Sequence, residues 1–518
     1  MRLPQMRYNL PRTKMQVIEF KGYNANPVIV DGEMSDCKNL TSDKYPVLAP
    51  RLPRKIIKSD LESPTAMYVR NGKTAYIDGE KFYYDGKQKG VVAAGEKQFV
   101  SMGDRIIIFP DKCIYDISDD NFDTLDKSIE STTFTFTKNS IKQANSETAP
   151  GEKFPFKSGD AVTISGSDIA MNNGTFVVKS ASDYELKFAD NTFTETKSDT
   201  KVTKVTIKRE IPDLEYVCEY NNRLWGVAGN TIYASALGKP ENFNIFSGLA
   251  SDSYSVEVGS SGVFTGCIGF GTHIAFFKEH CVHRLYGSKP SNFQFADIQS
   301  QGVRAGAHKS IVNVSDNIIY LSLSGIMDYT GGTPDIFSQN FGTRRFSQAV
   351  GGTDGSKYYV SLKSGDKWEL FVYDFGKGIW LKEDDTHVLD FSYDEGVLYM
   401  LSSDKKIYAL SSENVVDEIV DWYAEFGEMT EGADEKKIHT KFNLQFELLE
   451  PKASIAVYIN EDRKGWKEVY RAAFSERKTV SIPIVPTRCD FLNIRIVGRG
   501  QAKIFSLSKS VLVGSDEN

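Results

Sequence analysis

The sequence predicts an all-β fold: a β-propeller of about seven blades, within a range of six to eight, carrying an inserted small β-domain and a C-terminal β-sandwich. Three observations carry that prediction. Helical periodicity is almost absent from the 518 residues, with no run of apolar positions at i, i+3, i+4 and i+7 over three turns. Short apolar or alternating runs of about five residues recur instead, such as Arg105-Ile-Ile-Ile-Phe109, Asn317-Ile-Ile-Tyr-Leu321 and Lys357-Tyr-Tyr-Val-Ser-Leu362. The chain also holds 32 Phe, 25 Tyr and 41 Gly against 17 Pro, a balance that suits many strands joined by tight turns.

The blades follow from an internal repeat. Gly238-Lys-Pro240-Glu-Asn242-Phe243, Gly287-Ser-Lys-Pro290-Ser-Asn292-Phe293 and Gly331-Gly-Thr-Pro334-Asp-Ile-Phe337 each follow a short strand. Their prolines are 50 and 44 residues apart. The unit reads as strand, turn, strand, turn, strand, then a Gly/Pro turn leading to an aromatic. Weaker copies run from Tyr358 to Trp380 and from Leu398 to Leu410, with shorter ones from Ala66 to Tyr84 and from Phe99 to Tyr115. A period of 40–50 residues made of three or four strands is a propeller blade, because one such sheet cannot cover both of its apolar faces and stacking blades does so. The competing reading is a large irregular β-sandwich.

Two stretches break the period. Residues 129–208 hold strands around Ala161-Val-Thr-Ile, Thr175-Phe-Val-Val and Glu185-Leu-Lys-Phe with Gly-Asp and Asn-Gly turns, and read as a small β-module inserted at a loop tip. Residues 430–518 alternate with period two in five runs and read as a terminal β-sandwich. The expected organisation is therefore an N-terminal arm and lead-in strand over 1–57, propeller over 58–128, insert over 129–208, propeller over 209–429 and sandwich over 430–518.

Charge and cysteines narrow the function classes. There are 62 Lys and Arg against 69 Asp and Glu, a net charge of −7, which argues against wholesale coating of nucleic acid. No run of 18 uncharged apolar residues is present, so no membrane span is expected. Six scattered cysteines without a Cys-x-x-Cys pair read as free, buried thiols made in a reducing cytoplasm.

The chemistry-bearing motifs are few. His273, His280, His283 and His308 lie near Cys267 and Cys281, but His280-Cys-Val-His283 reads as part of a strand, where neighbours point to opposite faces, so no metal is expected. Asp119-Asp-Asn121-Phe-Asp123 lacks the glycine and terminal glutamate of a calcium loop and reads as a solvated turn. Gly351-Gly-Thr-Asp-Gly355 precedes a strand rather than a helix, so it offers no phosphate cradle. Glu383-Asp-Asp385 could supply paired carboxylates for glycoside hydrolysis, with a solvated blade edge as the plainer reading. No catalytic residue and no cofactor are expected. Arg2, Arg7, Arg12 and Lys14, with no acid before Glu19, form a basic arm suited to an acidic partner subunit or to nucleic acid; Arg51 belongs to the same partner-binding set. Trp225, Trp368 and Trp380 are candidate sugar-stacking aromatics if they are exposed.

The segments Asn39-Leu-Thr-Ser-Asp-Lys-Tyr-Pro46-Val-Leu48-Ala-Pro-Arg51, Phe156-Lys-Ser-Gly-Asp-Ala-Val-Thr-Ile-Ser-Gly166, Phe276-Phe-Lys-Glu279, Gly351-Gly-Thr-Asp-Gly-Ser-Lys-Tyr-Tyr359 and Pro486-Thr-Arg-Cys-Asp490 resemble stretches of structural proteins of tailed bacteriophages. That resemblance spans most of the chain and implies a virion component of the tail or head–tail region. In short-tailed phages such propellers form rings, commonly of six copies, below the portal and adaptor around the exit channel for double-stranded DNA, and act as a nozzle that retains and releases it. The expected partners are further copies of the chain and other tail or adaptor proteins. The location implied is the virion tail, assembled in the host cytoplasm. A receptor- or carbohydrate-binding tail propeller and a glycosidase propeller are the rival readings.

Overall fold

The computed structural model describes residues 12–144, 151–195, 204–410, 419–429, 436–473 and 476–513. They fold as β-strands joined by turns and four short 3-10 turns, with no α-helix among the described residues and no helix able to cross a membrane. The architecture is the propeller type expected, with an inserted β-module and a C-terminal β-sandwich. Six four-stranded antiparallel sheets have the blade pattern of consecutive strands, and a seventh completes three consecutive strands with one from earlier in the chain. The chain divides into two compact units, one of residues 65–68 and 73–308, the other of 1–64, 69–72 and 309–518.

The first unit carries blades 1 to 4 and the insert. Blade 1 runs from Pro64–Arg70 through Lys73–Asp78 and Lys81–Tyr84 to Lys87–Val91, and blade 2 from Gln98–Met102 to Asn121–Thr124. Blade 3 runs from Tyr216–Tyr220 to Tyr254–Glu257, and blade 4 from Phe264–Phe270 to Gln294–Gln299. The second strands are the most apolar because they are covered on both faces: Arg105–Phe109 and His273–Lys278 are buried almost throughout. Blade-to-blade contact is aliphatic and aromatic, as where Ala75, Ile77 and Phe82 of blade 1 meet Ile106, Ile108 and Tyr115 of blade 2. Tight hairpins fix the register: Asn71 and Gly72 adopt φ of 50° and 69°, and Asn221 and Asn222 adopt 52° and 56°, the left-handed values that a two-residue turn between twisted strands requires.

The repeat motif has a definite job. In the first two copies it lies between the third and fourth strands, in the third it includes the short fourth strand, and its aromatic packs across to a neighbouring sheet. Phe293 meets Trp225 and Tyr254 at centroid distances of 5.4 and 4.9 Å, and Phe337 meets Tyr373 at 4.3 Å and Trp380 at 5.5 Å. In the first copy the buried Asn242 amide also holds the insert, accepting from the Ala161 amide at 2.9 Å and donating to Asp160 at 3.2 Å.

The insert is a sandwich of two four-stranded sheets. One contains Lys127–Ser131, Val205–Arg209, Ala161–Ser165 and Gly174–Val177; the other contains Phe134–Phe136, Ser140–Gln143, Glu185–Lys187 and Ser180–Ala181. A phenylalanine-rich core closes it, with Phe188 and Phe193 in edge contact at 4.9 Å. Arg209 pairs with Asp160 inside the insert at 2.6 Å and ties its base to the blade side by donating to the Leu125 carbonyl.

The other unit carries blade 5 (Val312–Val314 to Asp335–Ile336), blade 6 (Gln348–Thr353, Lys357–Ser364, Lys367–Asp374, Ile379–Asp384), blade 7 and the sandwich. Two of its features lie outside the sequence expectation. Blade 7 has three strands from Val388–Asp394 to Lys406–Ala409, and its fourth is Lys55–Lys58, which the sequence reading left in the lead-in. The sandwich likewise draws on the start of the chain. Its five-stranded sheet pairs Arg12–Val17 with Ala502–Val513, and its six-stranded sheet joins Gly22–Tyr23, Glu33–Lys38 and Asp421–Phe426 to Leu492–Arg499. Strand Lys437–Leu448 alternates buried and half-buried residues, as a strand with one face on a core must.

Candidate functional site

A cleft of about 460 Å³ lies where the lead-in segment crosses blades 6 and 7. It is within the size range of small-ligand pockets. Its apolar floor comes from blade strands, with Leu381 and Val372 buried. Its mouth carries Leu52, 42% exposed, and Asp43.

Strand geometry sets the charged wall. In blade 6 the pairing with Lys367–Asp374 slips at the end of Ile379–Asp384: Phe371 faces Lys382 and Leu370 faces Asp384. Glu383 is the extra residue of a β-bulge, which turns it and Asp384 toward the same partners. The Glu383 carbonyl accepts the Asn39 amide at 2.5 Å. Arg54 donates to Glu383 at 2.5 Å and pairs with Asp384 at 2.8 Å, while Arg51 stands 3.6 Å from Glu383 and 3.5 Å from Asp384. Asn39 positions Arg51 by accepting from its Nε at 2.9 Å and anchors itself on the Asp421 carbonyl at 2.7 Å. Burial pushes the Asp384 carboxyl up, but Arg54 and Arg51 outweigh it and hold the group below the usual range. Burial pulls Arg54 down and the two carboxylates more than restore it, so the guanidinium stays charged.

The opposite wall comes from the turn opening the second strand of blade 6. Asp354 accepts from the Ser356 and Lys357 amides at 2.9 and 2.8 Å, and its other oxygen accepts the Tyr359 phenol at 3.2 Å. Lys357 pairs with Asp43, and Ser42 donates to Asp374 at 2.5 Å. Burial raises the Tyr359 phenol well above its ordinary value, so it is a neutral donor.

The sequence candidates fall in several places. Arg2 and Arg7 lie outside the described residues. Arg12 lies in a strand paired with Ala502–Val513, and Lys14 of the same strand is exposed. Arg51 is not part of a free basic arm: its charge is met inside the fold by Glu383 and Asp384. Glu383 and Asp384 are not a solvated face either, because two arginines distant in sequence cover them; Asp385 alone of the three stays largely exposed. Trp225 and Trp380 are each 1% exposed and pack between sheets, so the expectation of open stacking platforms does not hold for them. Trp368 is half-buried with its ring stacked on His387 at 3.9 Å.

The histidines do not converge. His273 is buried against Tyr286, His283 contacts the Ser260 hydroxyl at 2.8 Å, His280 is exposed, and His308 faces Glu96 at 3.7 Å. Among the described residues no group of three His, Cys, Asp or Glu side chains could hold a metal ion. In the acidic loop, Asp120 is bonded to Lys89 and to Tyr115, and Asp123 to Lys127. Gly352 of the glycine-rich stretch serves packing: a β-carbon there would stand 2.5 Å from Phe391 of blade 7.

Sequence reasoning passed over Arg54, Asp354, Lys357 and Tyr359. The one signal for Arg54 was its spacing from Arg51 within Arg51-Leu-Pro-Arg54, which means little until Glu383 and Asp384 are known to lie opposite.

No protein-family model matches the sequence, and no curated protein matches it. Solved structures of propeller type do. Hsv2 of Kluyveromyces lactis is similar over 40% of this chain and 66% of its own, at 11% identity and a TM-score of 0.28. The phage phi92 endosialidase is similar over 76% of this chain and 75% of its own, at 11% identity and a TM-score of 0.27. An exo-beta-1,3-galactanase of Phanerochaete chrysosporium, solved with galactose, is similar over 57% of this chain and 94% of its own, at 11% identity and a TM-score of 0.23. Likeness at this level concerns the fold and assigns no activity.

Proposed function

We propose that the chain is a structural protein of a tailed-bacteriophage virion, forming a ring of six identical copies in the tail or head–tail region. The observation that carries the proposal is how the cleft uses its charge. Arg51 and Arg54 clamp Glu383 and Asp384, fixing the lead-in segment to blade 6 and thus serving architecture. A glycosidase needs one carboxylic acid with a raised pKa to protonate its leaving group. Arg54, the Thr386 hydroxyl and Arg51 hold Asp384 below the ordinary range, so it does not meet that requirement. The sequence resemblance to phage structural proteins supports the same reading.

In that role the ring lines the path of packaged double-stranded DNA without reading its sequence, docks on neighbouring tail or adaptor proteins, and works as a nozzle in retention and release. It enters the virion during assembly in the host cytoplasm. Mass photometry of the purified chain and electron microscopy of virions test this. A closed ring and a tail location are expected; a strictly monomeric protein absent from virions overturns the proposal. Glycoside hydrolysis that disappears in Glu383→Gln would overturn the non-enzymatic part.

A further inference from the structure

We propose that the cleft between the lead-in segment and blades 6 and 7 is a binding site for an uncharged saccharide. Four observations lead there. The first is size: about 460 Å³ admits a small glycan segment and lies within the range of pockets that enclose small molecules.

The second is an orphaned donor. Arg54 has 8% of its side chain exposed, and its terminal nitrogens are taken by Glu383 and Asp384, yet its buried Nε has no hydrogen-bond partner. Buried polar groups are seldom left so; less than 1 Å² of this nitrogen is open, so an acceptor bound in the cleft satisfies it only with a shift of the side chains that cover it.

The third is charge balance. The lining holds three cations (Arg51, Arg54, Lys357) and three acids (Asp43, Asp354, Glu383). An anionic ligand such as a phosphate would meet as many carboxylates as cations, so the balance favours a neutral one.

The fourth is the pattern of donors and acceptors. Guanidinium and ammonium groups only donate, carboxylates only accept, and Tyr359 offers a phenol; here they stand in donor–acceptor pairs (Arg54 with Glu383, Lys357 with Asp43, Tyr359 with Asp354) beside an aliphatic floor. A sugar hydroxyl donates and accepts at once, and the C–H face of the ring is apolar. Adjacent hydroxyls can therefore bridge an acid and a cation while the ring lies on Leu381 and Val372.

The site differs from the tryptophans singled out in the sequence, two of which are buried. It is also independent of the virion assignment, since a protein absent from virions could still bind glycans here.

The test uses the full chain on an array of neutral oligosaccharides and their sialylated, sulfated and phosphorylated counterparts, followed by calorimetry with the strongest neutral binder. Leu52→Trp narrows the mouth at an exposed position, and Tyr359→Phe removes one hydroxyl; melting curves confirm that both fold. Binding of a neutral glycan is expected, weakened about tenfold or more by Leu52→Trp and severalfold by Tyr359→Phe. No binding to any neutral glycan, preference for the anionic set, or binding unchanged in folded Leu52→Trp and Tyr359→Phe would overturn the proposal.

Discussion

Replacing Arg54 by methionine keeps much of the side chain's length and removes its charge. Glu383 then loses a 2.5 Å partner and Asp384 a 2.8 Å partner, and both remain within a wall where Arg51 is 3.5 Å or more away. Removing one side of a buried ion pair costs about 3–5 kcal/mol, because the remaining charge is left uncompensated. Arg51 recovers part of this, so a loss of about 3 kcal/mol is expected. Equilibrium urea unfolding followed by tryptophan fluorescence suits the measurement, since Trp368, Trp380, Trp422 and Trp466 all lie in the unit that holds the cluster. A double-mutant cycle with Glu383→Gln should return a coupling of about 1–3 kcal/mol. The pH dependence supplies a second check. Asp384 has a folded pKa below its unfolded value, so its contribution is present above the unfolded value and is lost as pH falls through the folded one. The penalty of Arg54→Met should therefore shrink on acidification below about pH 4. Additive single-mutant effects, or a penalty unchanged at low pH, would refute the idea that these charges hold the lead-in segment in place.

Other perturbations have equally definite outcomes. Trp380→Ala empties a fully buried position and should cost about 3–5 kcal/mol in the same unfolding assay, so any loss of ligand binding in that variant would report misfolding. Gly352→Ala pushes a methyl group against the Cβ and Cγ of Phe391 between blades 6 and 7 and should cost about 1–3 kcal/mol in the same assay. Burial and then Arg284 depress His273 to about 4. Its stabilising contribution is complete above the unfolded value of about 6.5 and declines as pH falls toward 4, so His273→Phe should flatten that limb by up to about 1.4 kcal/mol per pH unit. Burial pushes the Cys37 thiol up to about 12, so it should resist a disulfide reagent at pH 8 until the protein is unfolded, as thiol counting with and without urea would reveal.

The blade pattern was legible because each sheet is built from strands adjacent in sequence, so the Gly/Pro turn and its aromatic recur with the sheet that needs them. Phe293, just before the fourth strand of blade 4, and Phe337, just after the fourth strand of blade 5, each pack on a tryptophan of a neighbouring blade. Lys55–Lys58 was hidden for the converse reason. It is a four-residue edge strand, Lys55-Ile-Ile-Lys58, whose two adjacent isoleucines show no alternation, and its partner lies at Lys406–Ala409, far along the chain. The cleft failed to announce itself for a related reason. Arg54 and Glu383 are ordinary surface residue types, and only the crossing of the lead-in over a bulged strand makes them a buried pair. The tryptophans misled because sequence reports which rings exist but not which side of a sheet they face.

The pairing of Arg12 with Leu512 has a consequence for how the protein is made. A ribosome adding roughly 5–20 residues per second needs on the order of 25–100 s between these two positions. Throughout that interval the first strand of the sandwich lacks its partner and its edge is open to any other extended chain. A cell translating many copies together therefore carries, on each nascent chain, an unfinished seam that only Ala502–Val513 can close. Slowing synthesis over the codons for Ala502–Val513 should raise the yield of aggregated product, while supplying that strand early, by fusing a copy of it ahead of Arg12, should lower it.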